Sequence, residues 1–350
     1  MPDTFVCARC ETVLTAPLDR VALPVHAHRT WGNAFAGLPV LLEPGSYAVD
    51  PEPSGPPWRR WEEVGEAAAE ARGVYAPLAA LSYGAAGAVV IAPGDGRGME
   101  LRPDRCDGGC CGTDRRSGPN LACTGCGELV ACRVDDCDRW QGVWLEPAAV
   151  LRRSIGDDRP DQGWESIATG PATPPTDREG HWQPEWQFAA GAALAHLLAA
   201  CDGAPVRLPP GGATTVFSDG LARLLPAAHA ERPARVLTLA GPGLHSPDPD
   251  IALVPRHPVT AEPWAPPNGA PTVPLDASLW AHLAHPATEL EVRPSGHLPP
   301  GLLRDEPPRR PPRYPFRADP VTLRQTLARL PAVRRPWLRE LYDALPAYWW

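Results

Sequence analysis

The 350-residue chain contains no lysine: all 33 of its basic residues are arginine, and methionine occurs only twice. Isoleucine, asparagine and phenylalanine are scarce too, while alanine, arginine, glycine, proline and tryptophan are plentiful. That split follows codon usage in a GC-rich genome of bacterial type, so the missing lysines carry no functional meaning. No run of about twenty uninterrupted apolar residues occurs, so no membrane-spanning helix is expected. No basic-then-apolar leader opens the chain, which points to a cytoplasmic location. The balance of 33 basic against 41 acidic residues, a net charge of −8, argues against a general nucleic-acid coat, whose affinity comes from neutralising phosphates. H-E-x-x-H, G-x-S-x-G and the Walker A loop are also missing, and with them the commonest signatures of hydrolytic chemistry.

Hydrophobic residues make up 43% of the chain, enough for a real core, and the length suits two domains. The 47 prolines and 32 glycines predict long irregular stretches between the folded pieces. Cysteine is the unusual component. Of ten in all, Cys7 and Cys10 form one pair, seven lie between Cys106 and Cys137, and Cys201 stands alone. A secreted disulfide scaffold would be short and carry a leader, so clustered thiols here point to a metal. Four thiolates suit the tetrahedral, borderline-soft preference of zinc.

Two segments carry that signal: Phe5-Val6-Cys7-Ala8-Arg9-Cys10 and Leu121-Ala122-Cys123-Thr124-Gly125-Cys126-Gly127. In each, a short apolar strand enters a C-x-x-C, whose two-residue spacing lets both sulfurs converge on one ion. Both segments resemble the knuckles of a zinc ribbon, in which two hairpin turns each give two cysteines to one structural zinc. The resemblance implies Cys7, Cys10, Cys123 and Cys126 as ligands of a structural Zn2+. It departs from the usual ribbon in separating the knuckles by residues 11–122, a domain-sized insertion. A more local set remains open, Cys106 and Cys110 with Cys123 and Cys126, because short loops cost less entropy to close. Under that scheme Cys7 and Cys10 would turn to Cys132 and Cys137, or to His26 and His28. A deaminase zinc site is excluded: His229-Ala230-Glu231 follows the cysteine pair instead of preceding it, and Ala122 stands where that signature has proline.

The fold class expected is α+β, in four parts. Residues 1–156 read as a β-rich zinc-ribbon-like domain, 157–184 as a linker, 185–298 as an α/β domain, and 299–350 as a Pro/Arg-rich segment with C-terminal helices. Within the first part, Trp58–Arg72 reads as a helix stopped by Gly73, Ala88–Ile91 as a buried strand, and Trp140 with Trp144 as an apolar cover for the metal site. In the second half, Trp186–Ala200 reads as a largely buried helix and Thr214–Phe217 as a strand, with Ser218 or Asp219 capping a helix through Ala230. Strands follow at Arg235–Leu239, Ile251–Val254 and Leu290–Val292, with a helix at Ala277–Leu283. Helices close the chain at Val321–Leu330 and Trp337–Leu345. The Gly241-Pro242-Gly243 loop lacks the dinucleotide-binding pattern and reads as a plain turn, while His282 and His285 read as surface residues.

From Arg304 to Asp343 ten arginines stand against five acids, around a proline-stiffened strip that includes Arg309, Arg310 and Arg313. Such a strip and the C-terminal helices can meet an acidic protein partner or a nucleic acid, since arginine binds phosphate bidentately. Terminal Trp349 and Trp350 are expected to fold back onto the chain or a partner. The leading function is therefore a non-catalytic zinc-binding protein acting through macromolecular contact. Two alternatives stay open: an enzyme with its pocket in the α/β part and a structural zinc, and a nucleic-acid-binding protein.

Overall fold

The computed structural model describes residues 2–29, 39–106, 112–137, 139–155, 163–168, 170–226, 231–244, 248–286 and 310–345. The chain is mixed α+β, with a strand-rich first half and helices gathered toward the C-terminus. In the first half run β1 (Asp3–Cys7), β2 (Asp19–Arg20), β3 (Ser46–Val49), β4 (Trp58–Arg59), α1 (Trp61–Val64), α2 (Glu66–Glu70), β5 (Leu81–Ser82), β6 (Val89–Ile91), β7 (Met99–Leu101), β8 (Leu121–Cys123), β9 (Leu129–Val134), β10 (Gly142–Leu145) and β11 (Val150–Ser154). There follow α3 (Trp164–Ala168), α4 (Pro184–Cys201), β12 (Val206–Arg207), α5 (Gly212–Leu224), β13 (Arg235–Leu239), β14 (Ile251–Arg256), β15 (Thr272–Asp276), α6 (Ala277–Ala284), α7 (Pro320–Ala328) and α8 (Pro336–Ala344). No helix among the described residues is long and apolar enough to cross a membrane.

The strands of the first half form a seven-stranded sheet in the order β2-β3-β6-β10-β9-β8-β7, antiparallel except for the β2–β3 pair. Side chains alternate between its faces with the period of two that a strand imposes. On β10, Val143 and Leu145 join a cluster with Phe5, Cys7, Tyr47, Ile91 and Cys123, while Trp144 turns to the other face, among Val90, Cys132, Val134 and Trp140. This corrects the role expected of Trp140 and Trp144: they pack on the face opposite the cysteines. Strand β1 pairs with β11, Cys7 opposite Val150, and is tied to β3 by Tyr47, whose hydroxyl donates to Asp3 Oδ2 at 2.6 Å. Ser154 donates to the other Asp3 oxygen at 2.7 Å, so this buried carboxylate has partners on both sides.

In the second half, β12-β13-β14-β15 make a parallel sheet, with α4 packed against it. Helix α4 is apolar nearly all round, with Trp186, Phe188, Ala193, Leu194, Leu197 and Leu198 all buried. Its cluster takes in α5, α7 and α8 and also Ala69, Val74, Ala76 and Leu81 from the first half, while Phe188 joins the Trp140 cluster. The stretch before it is ordered where described: Ile167 is buried in α3, and Thr176 bridges to Trp182.

Three local expectations fail for identifiable reasons. Thr214–Phe217 is helical, within α5, because Ala213, Val216, Phe217 and Leu221 make one buried helical stripe that outweighs the β preference of Thr-Thr-Val. That helix stops at Leu224, before Pro226, and residues 227–230 lie outside the described set. The helix expected over Trp58–Arg72 is broken into β4, α1 and α2, since Gly65 adopts φ 76 between the two short helices. Leu290–Val292, Arg309, Trp349 and Trp350 lie outside the described residues.

His26 stacks between Trp140 (4.4 Å between centroids) and Phe188 (5.6 Å) and is 6% exposed. Burial, with the charge of Arg29, pushes its imidazole down to about 3. The unfolded chain takes up that proton near pH 6.5, so the stabilising contribution is complete above that pH and is lost progressively as pH falls toward 3. Between pH 7 and pH 5 the loss amounts to about 2 kcal/mol. In His26→Phe the fall in the denaturation midpoint over that interval is expected to shrink accordingly. An unchanged pH slope would remove His26 as its source.

Candidate metal centre

The first knuckle is the hairpin after β1. The Cys7 amide donates to Thr12 O at 2.9 Å and the Glu11 amide to Cys7 O at 2.9 Å. The second knuckle, after β8, repeats the pattern: Cys123 donates to Glu128 O and Gly127 to Cys123 O, both at 2.8 Å. Even the backbone angles correspond, since the residue four places after the leading cysteine has positive φ in both, 58° at Glu11 and 75° at Gly127. The amide after each leading cysteine donates outward as well, Ala8 to Ala149 O and Thr124 to Gly98 O, both at 2.9 Å. Two distant segments therefore present their sulfurs on equivalent turns.

The four sulfurs of Cys7, Cys10, Cys123 and Cys126 lie within 4.8 Å of one another. Across the knuckles, Cys7 meets Cys126 and Cys10 meets Cys123, each at 3.6 Å. A tetrahedral ion holding sulfur at about 2.3 Å needs sulfur–sulfur edges of about 3.8 Å. A disulfide would bring them to about 2.05 Å. The spacing thus fits a shared cation and not two cross-links. Cys7 and Cys123 are buried and Cys10 is exposed, so one edge of the cluster faces solvent.

Charge makes the same demand. The Thr12 hydroxyl and amide, aided by the Cys126 thiol, hold Cys10 down at about 6. At Cys126 the Glu128 amide pulls the other way, but burial and the neighbouring Cys10, Cys7 and Cys123 sulfurs push the thiol up to about 12. Four thiolates this close repel one another, and a dication removes that repulsion.

The knuckles meet with no room to spare at Gly125, where a Cβ would stand 2.3 Å from Thr12 Oγ1 and 3.2 Å from Cys10 Sγ. Thr12 Oγ1 is itself engaged with Cys10 Sγ at 3.2 Å. Gly125→Ala is therefore expected to destabilise by about 1–3 kcal/mol and to speed metal loss to a chelator. Adding Thr12→Ala to that variant opens the space and recovers part of the loss; no recovery would show that the contact at Thr12 is not the cause.

The other candidate ligands lie elsewhere. Cys106 Sγ donates to Arg102 O at 3.3 Å, and Cys110 is outside the described residues. Cys132 is buried, donates to Asp114 O at 3.4 Å, and has its thiol pushed up to about 12 by burial, as befits a small apolar filler. His28 bonds Asp50 at 2.8 Å, and His26 sits among aromatic rings. In the second half, the Trp280 ring fills the space beside Gly241, where a Cβ would come within 2.3 Å of it, so the Gly241 loop is a packed turn. What sequence reasoning missed is a cleft on the far face of the first sheet, gathered from Arg29, Trp58, Arg115 and Trp144; no local spacing announces it. In the comparisons with known proteins, no protein family, no curated protein and no solved structure matches the chain.

Proposed function

We propose that the chain is a zinc-binding protein whose metal is structural and which acts by contact with other molecules. The observation that carries this reading is the set of four sulfurs within 4.8 Å of one another, two of whose cross-knuckle edges, at 3.6 Å, are close to tetrahedral. Cys7, Cys10, Cys123 and Cys126 would hold the ion and leave no coordination position for water, which a catalytic zinc requires. The ion's chemistry there is to neutralise thiolate charge and fix the ends of β1 and β8 together.

The tail supports a contact role. Its backbone is pinned to the 177–182 turn, with the Arg310 amide on Arg178 O at 2.9 Å and Arg313 on Gly180 O at 3.0 Å. Arg313 Nε also donates to Glu179 O at 3.0 Å, and the Arg310 and Tyr314 side chains stay exposed. A partner with an acidic surface suits that strip better than a long nucleic acid does, given the chain's net charge of −8.

Elemental analysis of the purified full chain tests the metal reading. One zinc per chain is expected. A folded, metal-free chain would overturn it, and one iron per chain would keep the site while replacing its ion.

A further inference from the structure

Behind the Trp144 face of the first sheet lies a cleft of about 490 Å³, within the roughly 300–1,000 Å³ range of ligand cavities. Its wall is unlike the rest of this acidic chain. Arg29, Arg115, Arg116 and Arg139 line it, and among the described lining residues the one carboxylate is Asp114, which Arg116 pairs at 3.0 Å. Arg115 lies over the Trp144 ring at 4.2 Å and donates to Ser54 Oγ at 3.3 Å. The charges of Glu146 and Asp50 reach it, yet neither forms an ion pair with it among the described residues. Arg29 is in the same state: the charges of Asp319 and Glu52 reach it, but Asp319 caps the Thr322 amide, Glu52 is taken by Arg329 at 2.8 Å, and Arg29 Nε is shielded from solvent with no acceptor among the described residues. The buried Trp140 Nε1, in the same wall, also has no acceptor among the described residues.

Two half-buried guanidinium groups with no ion-pair partner among the described residues, beside donors with no acceptor there, leave the wall short of negative charge and of lone pairs. A ligand can supply both. The remaining wall is mainly apolar, with Ala27, Ala80 and Val134 in it and the Trp58 ring, 52% exposed, at the rim. We propose that this cleft binds a small organic anion of about mononucleotide size, its phosphate or carboxylate group received by Arg29 and Arg115 and its planar part resting on Trp58. Guanidinium suits both oxyanions because its planar fork donates in pairs. The concave shape and the limited volume of about 490 Å³ favour a small molecule over a polymer strand. The proposal does not depend on the metal, which sits on the other face of the sheet.

The test titrates the full, zinc-loaded chain with ADP, pyrophosphate, citrate and adenosine, followed by calorimetry and tryptophan fluorescence. Binding of ADP or citrate, with adenosine weaker by about tenfold or more, is expected, because charged hydrogen bonds carry the affinity. ADP against citrate distinguishes phosphate from carboxylate. Arg29→Gln and Arg115→Gln are each expected to weaken the anion by about tenfold or more. Trp58→Ala, at an exposed position, should weaken ADP and leave pyrophosphate unchanged. Each variant is compared at parental zinc content and melting temperature, and Arg29→Gln serves alone should Arg115→Gln not fold. No binding of any anion, equal binding of adenosine and ADP, or affinity indifferent to Arg29 overturns the proposal. A single-stranded oligonucleotide that binds far more tightly through the same arginines would overturn it in favour of a nucleic-acid groove.

Discussion

Serine in place of Cys123 is expected to strip the purified chain of stoichiometric zinc and to lower its unfolding free energy by about 3–5 kcal/mol. Cys123 is buried at the end of β8, with its sulfur 3.6 Å from Cys10. Removing it opens a four-ligand shell, and a hydroxyl is a poor, harder replacement for a thiolate. The energetic consequence follows from the span that the ion closes. A cross-link around about 100 residues removes roughly 4–5 kcal/mol of unfolded-chain entropy, and a bound ion joining Cys10 to Cys123 closes a loop of that order. Whole domains are stable by only about 5–15 kcal/mol, so the variant should melt much earlier or populate unfolded chain at body temperature. Metal content and denaturant midpoints measure both effects. Cys106→Ser is the control: its thiol bonds a backbone carbonyl away from the cluster, so full zinc retention is expected. Zinc lost from Cys106→Ser and kept in the Cys123 variant would assign the site to the wrong sulfurs.

The four sulfurs were legible because their signal is local. Two residues between cysteines, and a glycine at the turn of the second pair, state the chemistry within seven positions. That Cys7 and Cys10 approach Cys123 and Cys126 was implied only by the resemblance to a zinc ribbon, with the Cys106 and Cys110 set still open, and the paired knuckles now give it a geometry. The long buried helix α4 and the strands β13 and β14 were readable for the same reason, as mainly apolar segments of the right length. Some failures are local, as where Gly65 breaks the helix expected over Trp58–Arg72, and others come from packing. Thr214–Phe217 becomes helix because neighbours bury one helical stripe, and Trp144 leaves the cysteines because strand alternation sends it to the other face. The arginine cleft draws Arg29, Trp58 and Arg115 from three separate segments, so no window of sequence contains it. Likewise Phe188, read only as part of an apolar helix, meets His26 and Trp140 from the first half.

Helix propensity and packing give opposite signs at Gly191, in the middle of α4, which makes it the sharpest test of the second core. In a helix exposed to water, alanine in place of glycine stabilises by about 1 kcal/mol. Here the added Cβ would stand 2.4 Å from the Asp319 carbonyl oxygen and 3.2 Å from Thr322 Cβ. Neither can swing aside. Asp319 caps α7, accepting from the Thr322 amide at 2.6 Å, and its own amide donates to Gln187 O at 2.8 Å, back on α4. Leu323 and Leu327 are buried just beyond it. The methyl group must therefore part the two helices, and overpacking of this kind costs about 1–3 kcal/mol or somewhat more. Since the obstruction is backbone, the upper part of that range applies, and Gly191→Ala is expected to be net destabilised by about 2 kcal/mol, a fall of about 3 °C in melting temperature. Gly220→Ala in α5 supplies the contrast, because its Cβ would meet only the end of the Leu194 side chain, at 2.8 Å. That variant is expected to lie close to the parent. A Gly191→Ala chain as stable as the parent would mean that α4 and α7 do not approach backbone to side chain as they do here, and the second core would need a different arrangement around α4.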